Sequence, residues 1–342
     1  MAHRTLNTIE AVAEASRIGT CLRLDTLVKI APKFWPAWGI CLDPSDPAVR
    51  KASVDGYKVE WLDAGPEANA TVAEGAKRAG MGDANKLMNE AMAKMVAGCF
   101  TPKQPLVVID LGCGPGGSSL ALHTRVGSGR RRLSILVDPS SKALEKAASE
   151  MRSAGWSVST HKMLTEDWLT RDEGPVELKH TNVVLMGASL HHMDVDFVLG
   201  ALRKHLRSGA LIAVADWCHP MLRSPGHFRV LAETLDRMVE PGILARFDEN
   251  FPTTEEERAA VMQETRLDKA ALLSMAGPGG FWVCHALECR EKGIKPMFSP
   301  YEGHRPVGVW LDEFRQNGFG DIYTESVTPN NSLHTVFLLE QP

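Results

Sequence analysis

The feature that most constrains the fold is a short apolar run that leads directly into a glycine-rich turn. Residues 107–117 read Val-Val-Ile-Asp-Leu-Gly-Cys-Gly-Pro-Gly-Gly, so a buried-strand pattern ends at Asp110 just before the glycines. Glycine lets the backbone turn tightly and approach a ligand closely. The turn delivers that ligand to the start of a helix, whose free amide groups favour anionic or carboxylate groups. The segment therefore predicts a strand–turn–helix unit that binds a ligand.

The glycine spacing also satisfies the G-x-G-x-x-G fingerprint of dinucleotide-binding proteins, which is a weak signal when it stands alone. Three features argue against a dinucleotide. The carboxylate of Asp110 would repel a pyrophosphate, and Pro115 removes an amide from the turn. The next acid at a strand end, Asp138, lies 26 residues after Gly112, whereas the usual spacing is about 20. A nicotinamide-dependent oxidoreductase is therefore an alternative that these residues disfavour.

Apolar runs of strand length alternate with helical segments across residues 104–216. Because the runs are apolar on both faces, they predict a parallel sheet that is covered on both sides. We expect strands at Pro105–Asp110, Leu133–Asp138, Trp156–His161, Thr181–Met186 and Gly209–Asp216, with helices at Ser141–Ala154 and Val195–Leu206.

The flanking regions follow different patterns. Helix formers and three- and four-residue apolar spacing predict helices before the sheet, including one from Asp83 to Cys99. Near the other end, Gly320–Val327 and Leu333–Glu340 flank the turn Pro329-Asn330-Asn331 and predict a β-hairpin. The predicted organisation is a mainly helical extension or lid over 1–100, a ligand-binding core over 101–216, a helical insert over 217–305, and a last helix with the hairpin over 306–342.

Composition excludes several classes of protein. The 342 residues are 44% apolar and 23% charged with a net charge of −4, which argues against disorder and against a strong positive field for nucleic acid. No apolar run approaches the roughly 20 residues that span a bilayer, and the first 15 residues carry charges where a signal peptide is apolar. Accordingly, no membrane partner is expected. Seven cysteines without CxxC spacing, and no HExxH, predict a reduced cytoplasmic protein without a metal site.

The glycine-rich segment resembles the class I S-adenosylmethionine-dependent methyltransferases, whose acid-x-Gly-x-Gly-x-Gly loop it matches residue by residue. The resemblance covers residues 104–216 and extends to the terminal hairpin. It implies a doubly wound α/β fold with a mostly parallel seven-stranded sheet and an antiparallel last strand. It also implies S-adenosylmethionine as the cofactor.

The resemblance assigns cofactor contacts to several segments. The acid of the loop, Asp110, would hold the ammonium of the cofactor through amides or water, and Asp138 would accept both ribose hydroxyls. Asp167 would accept from the adenine amino group while Trp168 packs on the ring. The implied cofactor-binding positions are Asp110, Gly112, Cys113, Gly114, Gly116, Asp138, Pro139, Glu166, Asp167, Trp168, Gly187, Ala188 and His191.

Candidate bases follow the fourth and fifth predicted strands. An oxygen or nitrogen acceptor loses a proton on methylation, and histidine accepts a proton near neutral pH. His191 and His192 leave the fourth strand where ligands gather in open α/β sheets, and His192 is placed to face the acceptor. Asp216 and His219 are further candidates. The alternative is that either adjacent histidine packs on the adenosine or caps the next helix.

The acceptor site is expected in the regions outside the sheet. Aromatic side chains with few polar groups suit a small, partly apolar organic molecule. The candidate acceptor-binding residues are Trp217, Trp282, His285, Tyr301 and His304. The alternative is that these side chains fill the core of the insert or a homodimer interface. A methyltransferase acting on RNA or protein, and a non-catalytic cofactor-binding module, also remain open, although no nucleic-acid partner is expected.

Overall fold

The structure is a computed structural model that describes residues 84–101, 104–126, 131–171, 175–218, 307–327 and 334–342, with short stretches between 232 and 259. The chain divides into two compact units. One comprises Met1–Gly82 with His219–Val309, and the other comprises Asp83–Cys218 with Trp310–Pro342. The helices predicted before residue 83, most of the insert and the turn at 329–331 lie outside the described residues.

The second unit contains a seven-stranded sheet in the order β3-β2-β1-β4-β5-β7-β6. The first five strands run parallel to one another, whereas β7 is antiparallel to both β5 and β6. This arrangement confirms the predicted fold, including the hairpin that completes the sheet. The strands are β1 Leu106–Leu111, β2 Arg132–Val137, β3 Ser157–His161, β4 Val183–Gly187, β5 Leu211–Trp217, β6 Ile322–Ser326 and β7 His334–Glu340.

Both faces of the central strands are buried, which explains their continuous apolar sequences. Successive side chains of a strand point to opposite faces of the sheet. In β1, Leu106 and Val108 lie on one face and Ile109 and Leu111 on the other, and all four are buried. A strand with only one buried face would have shown alternating polar residues.

Helices cover the two faces, and their starts follow local capping rules. The Ser140 hydroxyl accepts from the Ala143 amide at 3.4 Å, and the Asp194 carboxylate accepts from the Phe197 amide at 3.1 Å. The helices are α1 Ala84–Ala97, α2 Gly117–Val126, α3 Ser141–Ser153, α4 Thr165–Leu169, α5 Val195–His205, α6 Ile243–Asn250 and α7 Val307–Gln316. Single 3-10 turns occur at Val176–His180 and Leu190–His192.

Helix α1 packs on the sheet and belongs to the same compact unit. Its buried residues Met88, Met92 and Val96 recur every four positions and join a core cluster with Leu122 of α2 and Val183 of β4. The prediction placed this helix at the end of a separate extension that closes at residue 100. The structure places it with the sheet, because its apolar face is buried in the core of that unit.

The described part of the first unit includes α6, which is fixed at its start by one carboxylate. Asp236 accepts from the backbone amides of Gly242 and Leu244 at 2.7 Å and 3.1 Å. Ile243 and Phe247, one turn apart, are completely buried. Among the helices that the structure describes, none is long and apolar enough to cross a membrane.

Helix α7 and strand β7 meet through aromatic rings, which generates a stability prediction. Phe314 is completely buried, stacks on Trp310 with a centroid separation of 5.7 Å, and meets Phe337 edge-on at 5.2 Å. We expect Phe314→Ala to lower the free energy of unfolding by about 3–5 kcal/mol in urea titrations, because it leaves a cavity. The matched change Phe197→Ala, at a side chain that is 38% exposed, should alter it by no more than about 0.5 kcal/mol. Equal effects of the two changes would contradict the packing described.

Candidate cofactor and catalytic site

The order of the strands locates a crevice at the carboxyl ends of β1 and β4. The chain passes from β1 to β2 on one side, while β4 pairs with the other side of β1. Open α/β sheets bind ligands at this kind of switch point, because the two crossover connections diverge there. The loop that joins β1 to α2, Gly112–Gly116, lies at this position.

Two glycines of this loop have no room for a side chain. Gly112 has a φ of +65°, and a Cβ added to it would lie 2.7 Å from Cβ of Ser189. Gly116 has a φ of +91°, and a Cβ there would lie 2.9 Å from Cβ of Ala147. A Cβ on Gly114 would meet nothing within 4 Å. The loop is therefore packed tightly at both ends, while Gly114 between them faces open space that a ligand can occupy.

The carboxylate of Asp138, directly after β2, anchors the loop. One oxygen accepts from the Gly114 amide at 2.9 Å, and the other accepts from the Ser140 amide at 2.8 Å. Burial raises the pKa of Asp138, and these two amide hydrogen bonds act in the opposite direction. Because a carboxylate oxygen has two lone pairs, each oxygen can accept one more hydrogen bond. Asp138 is followed by Pro139, which is also buried.

Asp110, at the carboxyl end of β1, is completely buried. The Ser119 hydroxyl donates to one carboxylate oxygen at 2.7 Å, and the other oxygen has no hydrogen-bond partner among the described residues. Burial raises the pKa of Asp110 to about 7, although the hydrogen bonds from Ser119 lower it. Asp110 was predicted from sequence, whereas Ser119 was not. The serine in the first turn of α2 was the available signal.

Cys113, between the loop glycines, is a buried thiol. Its side chain packs in a small cluster with Leu136, Leu144 and Ala147. Burial raises the pKa of the Cys113 thiol far above its usual range, so the thiol stays protonated. A protonated thiol is a poor nucleophile, so Cys113 is a packing residue of the loop rather than a reactive group.

Strand β4 ends in a strained turn. Ala188, after Gly187, has a φ of +54°, and its amide donates to the Ala215 carbonyl at 2.7 Å. A left-handed conformation at a residue with a Cβ is unfavourable, and such strain concentrates at functional sites. The turn leads into the 3-10 segment that carries His191 and His192.

His191 and Asp216 form a buried pair at the ends of β4 and β5. The Nδ1 atom of His191 lies 2.8 Å from one carboxylate oxygen of Asp216, and its backbone amide donates to the other at 3.3 Å. Asp216 is completely buried, and His191 is 5% exposed. The ring of the partly buried His192 lies against that of His191, with a centroid separation of 3.9 Å. The sequence suggested His191 and Asp216 as separate bases, and their pairing was missed.

The predicted adenine segment lies in α4, and its three residues have different environments. One oxygen of Glu166 accepts from the Asp194 amide at 2.9 Å, so this carboxylate supports the start of α5. Burial raises the pKa of Glu166. Asp167 is exposed, whereas Trp168 is completely buried with its ring 5.7 Å from that of His161. The indole of Trp168 is a core side chain here and would have to leave the core to contact an adenine.

Several predicted site residues lie outside the described residues, namely His219, Trp282, His285, Tyr301 and His304. The backbone of Trp217 ends β5, and its side chain is not among those described. Within the described parts of the chain, no group of three or more His, Cys, Asp or Glu residues is arranged to hold a metal ion.

Residues 108–209 match a family model described as a methyltransferase domain. This match spans β1 to the residues before β5, and it includes the glycine loop, Asp110, Asp138 and the histidine pair. The sheet order and the antiparallel β7, which lies outside the matched residues, are those that the resemblance implied. This region is a class I methyltransferase domain. The match also supports the predicted cofactor, S-adenosylmethionine.

Solved structures similar to the methyltransferase domain share little sequence with the chain. The apo methyltransferase SibL is 16% identical over 70% of this chain, with a TM-score of 0.38. The CurJ carbon methyltransferase is 13% identical over 98% of this chain and 68% of its own, with a TM-score of 0.44. Phosphoethanolamine N-methyltransferase 2 of Haemonchus contortus, in complex with S-adenosyl-L-methionine, is 12% identical over 74% of this chain, with a TM-score of 0.41.

The chain spans about half the length of two of these proteins, 51% of SibL and 52% of the Haemonchus enzyme. Similarity at this level carries no information about the acceptor. No curated protein sequence is significantly similar to the chain.

The buried carboxyl of Asp110 makes the stability of the methyltransferase domain depend on pH. Its pKa rises from 3.8 to about 7 on folding, so between these values the folded protein holds a proton that the unfolded chain has lost. Asp110 therefore favours the folded state at low pH, and this contribution is lost as pH rises to about 7. We expect Asp110→Asn to gain stability relative to wild type as pH rises from 5 to about 7, and to keep a constant difference above about 8.

Urea unfolding of both proteins over this pH range measures the difference, and other titrating groups cancel because both proteins contain them. A difference that does not change with pH would contradict the raised pKa of Asp110.

Proposed function

We propose that this chain transfers a methyl group from S-adenosylmethionine to a small, partly apolar organic acceptor that loses a proton on methylation. The observation that carries the proposal is the placement of two groups at one edge of the sheet. One is the glycine loop anchored by Asp138, and the other is the imidazole of His191 held by Asp216.

The loop fits the chemical groups of S-adenosylmethionine. Gly114 faces open space, and Asp138 retains one acceptor site on each oxygen for the two ribose hydroxyls. Two acids adjoin the loop, Asp110 before it in the chain and Asp138 through its hydrogen bond to Gly114, and residues 110–120 contain no lysine or arginine. This charge suits a ligand with an ammonium group and opposes a pyrophosphate. The residues present therefore favour the cofactor over a dinucleotide.

The chemistry that S-adenosylmethionine supplies when bound is an electrophilic methyl group on a sulfonium sulfur, which is displaced in line. The chain then has to align the acceptor and remove its proton. If Nδ1–H of His191 donates to Asp216, Nε2 is the basic nitrogen of the ring. With the cofactor bound, the acceptor oxygen or nitrogen would gain the methyl group while the sulfur kept the bonding pair, and Nε2 of His191 would accept the proton that the acceptor loses.

Asp216 acts through His191 and is therefore a positioning residue. It fixes the tautomer and the orientation of the imidazole through two contacts, one to the ring and one to the backbone amide. Its complete burial strengthens these contacts, because no water competes for the carboxylate. This pairing moves the favoured base from His192, the first choice from sequence, to His191.

The composition of the chain favours a small acceptor over RNA. The net charge of −4 opposes binding to the phosphates of RNA. The insert carries the aromatic residues Trp282, Tyr301 and His304, and aromatic side chains suit the binding of small organic ligands. Transfer of labelled methyl to a panel of phenols, amines and thiols tests this class directly. Labelling of RNA or protein instead would favour the macromolecular alternative.

Cofactor binding is tested first by calorimetry with the demethylated product, S-adenosylhomocysteine. We expect binding at micromolar concentration and no heat with NAD or NADP. Asp138→Ala should weaken S-adenosylhomocysteine binding at least tenfold, because hydrogen bonds to a charged group contribute roughly 1.5–3 kcal/mol each. Unchanged affinity in a folded variant would remove the ribose role of Asp138.

The base is tested with His191→Gln and Asp216→Asn, which preserve much of the shape of each side chain. We expect His191→Gln to slow turnover by roughly 10²–10⁴-fold with little change in S-adenosylhomocysteine binding. The wild-type rate should rise with pH as an imidazole loses its proton, and this limb should disappear in the variant. Asp216→Asn should also lower the turnover rate. Its rate should still rise with pH, but over a shifted pH range, because the imidazole remains.

Two results would contradict this role for His191. Loss of product affinity together with rate would make His191 a wall of the cofactor site. A rate close to wild type with the pH limb intact would assign proton removal to another group, with His192 and His219 as the remaining candidates.

A further inference from the structure

One polar side chain of α1 reaches the crevice between the glycine loop and β4. The Asn89 amide oxygen accepts from the Ser118 hydroxyl at 3.1 Å. The Asn89 nitrogen lies 2.8 Å from the position that a Cβ on Gly117 would take, and its oxygen lies 2.7 Å from that of a Cβ on Gly187. Asn89 therefore touches the first residue of α2 and the last residue of β4 at positions where only glycine leaves room.

The position of Asn89 is fixed by its neighbours on the helix. Met88 and Met92 are completely buried or nearly so in the core of the sheet, which anchors α1 on either side of Asn89. The hydrogen bond from Ser118 orients the amide, because it requires the oxygen to face Ser118 and the NH₂ group to face the other way. The NH₂ group has no acceptor among the described residues.

The surroundings of this NH₂ group suit a carboxylate. The first amides of α2 have no partner within the helix, and their partial positive charge lies close by. One of them, the amide of Ser119, already donates to Asp110. The loop and the first turn of α2, residues 110–120, contain no lysine or arginine. At this point of the described structure, the side-chain amide of Asn89 is a donor that a carboxylate can use.

We propose that Asn89 is a cofactor-positioning residue whose NH₂ group donates to the carboxylate of the amino-acid part of S-adenosylmethionine. The proposal rests on the function proposed above and deepens it. Asp138, and Asp110 when it is ionised, can hold ammonium and hydroxyl groups but repel a carboxylate. Asn89 and the start of α2 supply the donors that the acids lack. The amino-acid part is then held at both of its charged groups, which aligns the sulfonium for displacement.

Binding of two ligands to wild type and variants tests the proposal. S-adenosylhomocysteine has the amino-acid part, whereas 5′-methylthioadenosine has the same nucleoside without it. We expect Asn89→Asp, which keeps the shape and opposes a carboxylate, to weaken S-adenosylhomocysteine binding at least tenfold. Binding of 5′-methylthioadenosine should change by less than about twofold. Asn89→Ala removes the donor without adding charge and should give a smaller loss with the same selectivity, and it serves if the Asp variant does not fold.

The matched control is Asn85→Asp, which adds the same charge to the same helix at an exposed side chain one turn earlier. It should bind both ligands within about twofold of wild type. Unchanged S-adenosylhomocysteine binding in both Asn89 variants, or equal loss of both ligands, would overturn the role of Asn89. If wild type binds neither ligand, the proposed function itself fails, which separates the two failures.

Discussion

The carboxylate of Asp138 links three parts of the structure, and the geometry of the site depends on this link. Asp138 directly follows β2. Its carboxylate accepts hydrogen bonds from the amide of Gly114, in the loop after β1, and from the amide of Ser140, at the start of α3. These bonds hold an irregular loop in one conformation against two regular strands. The carboxylate is almost completely buried, so water does not compete strongly for its oxygens. A loop fixed in this way presents its free face to a ligand without first having to become ordered.

The site has two electrostatic halves that suit different tasks. Around the glycine loop, Asp138 provides negative charge, and Asp110 adds to it as pH rises above its pKa of about 7. Residues 110–120 contain no basic side chain, so the loop favours a ligand with a cationic group. Across the crevice, Asp216 is committed to His191, so its charge orients an imidazole. Parallel pairing of β4 and β5 brings these two residues together, because both follow the paired ends Gly187 and Ala215. In the proposed reaction, the glycine loop after β1 would bind the cofactor, and the imidazole after β4 would accept the proton.

Close packing at glycines determines which side chains reach the crevice. Gly117 and Gly187 leave the space that Asn89 fills, and Gly112 leaves the space for Ser189. A methyl group at any of these positions would displace a polar side chain of the site. The glycines therefore have two structural effects: they allow the backbone to turn, and they leave space for the side chains of Asn89 and Ser189. The burial of its methionines in the core of the sheet holds helix α1 where Asn89 lies against Gly117 and Gly187.

The sequence by itself determined the elements that depend on local pattern. Apolar runs of strand length gave the sheet within a few residues, and the hairpin signal gave the antiparallel β7. The glycine spacing, with an acid before it and another after the next strand, indicated the loop, Asp110 and Asp138. These signals are readable because each depends on residues that are neighbours in the chain.

Tertiary structure decided which distant side chains meet. His191 and Asp216 are 25 residues apart and pair because their strands are adjacent. Glu166 accepts from the Asp194 amide 28 residues away, and Trp168 is buried in the core. Neither environment follows from the order of residues alone. Asn89 precedes Ser118 by 29 residues and meets it only through helix packing. Such contacts depend on how helices and strands pack against one another. The local pattern of residues along the chain does not specify which distant side chains will meet.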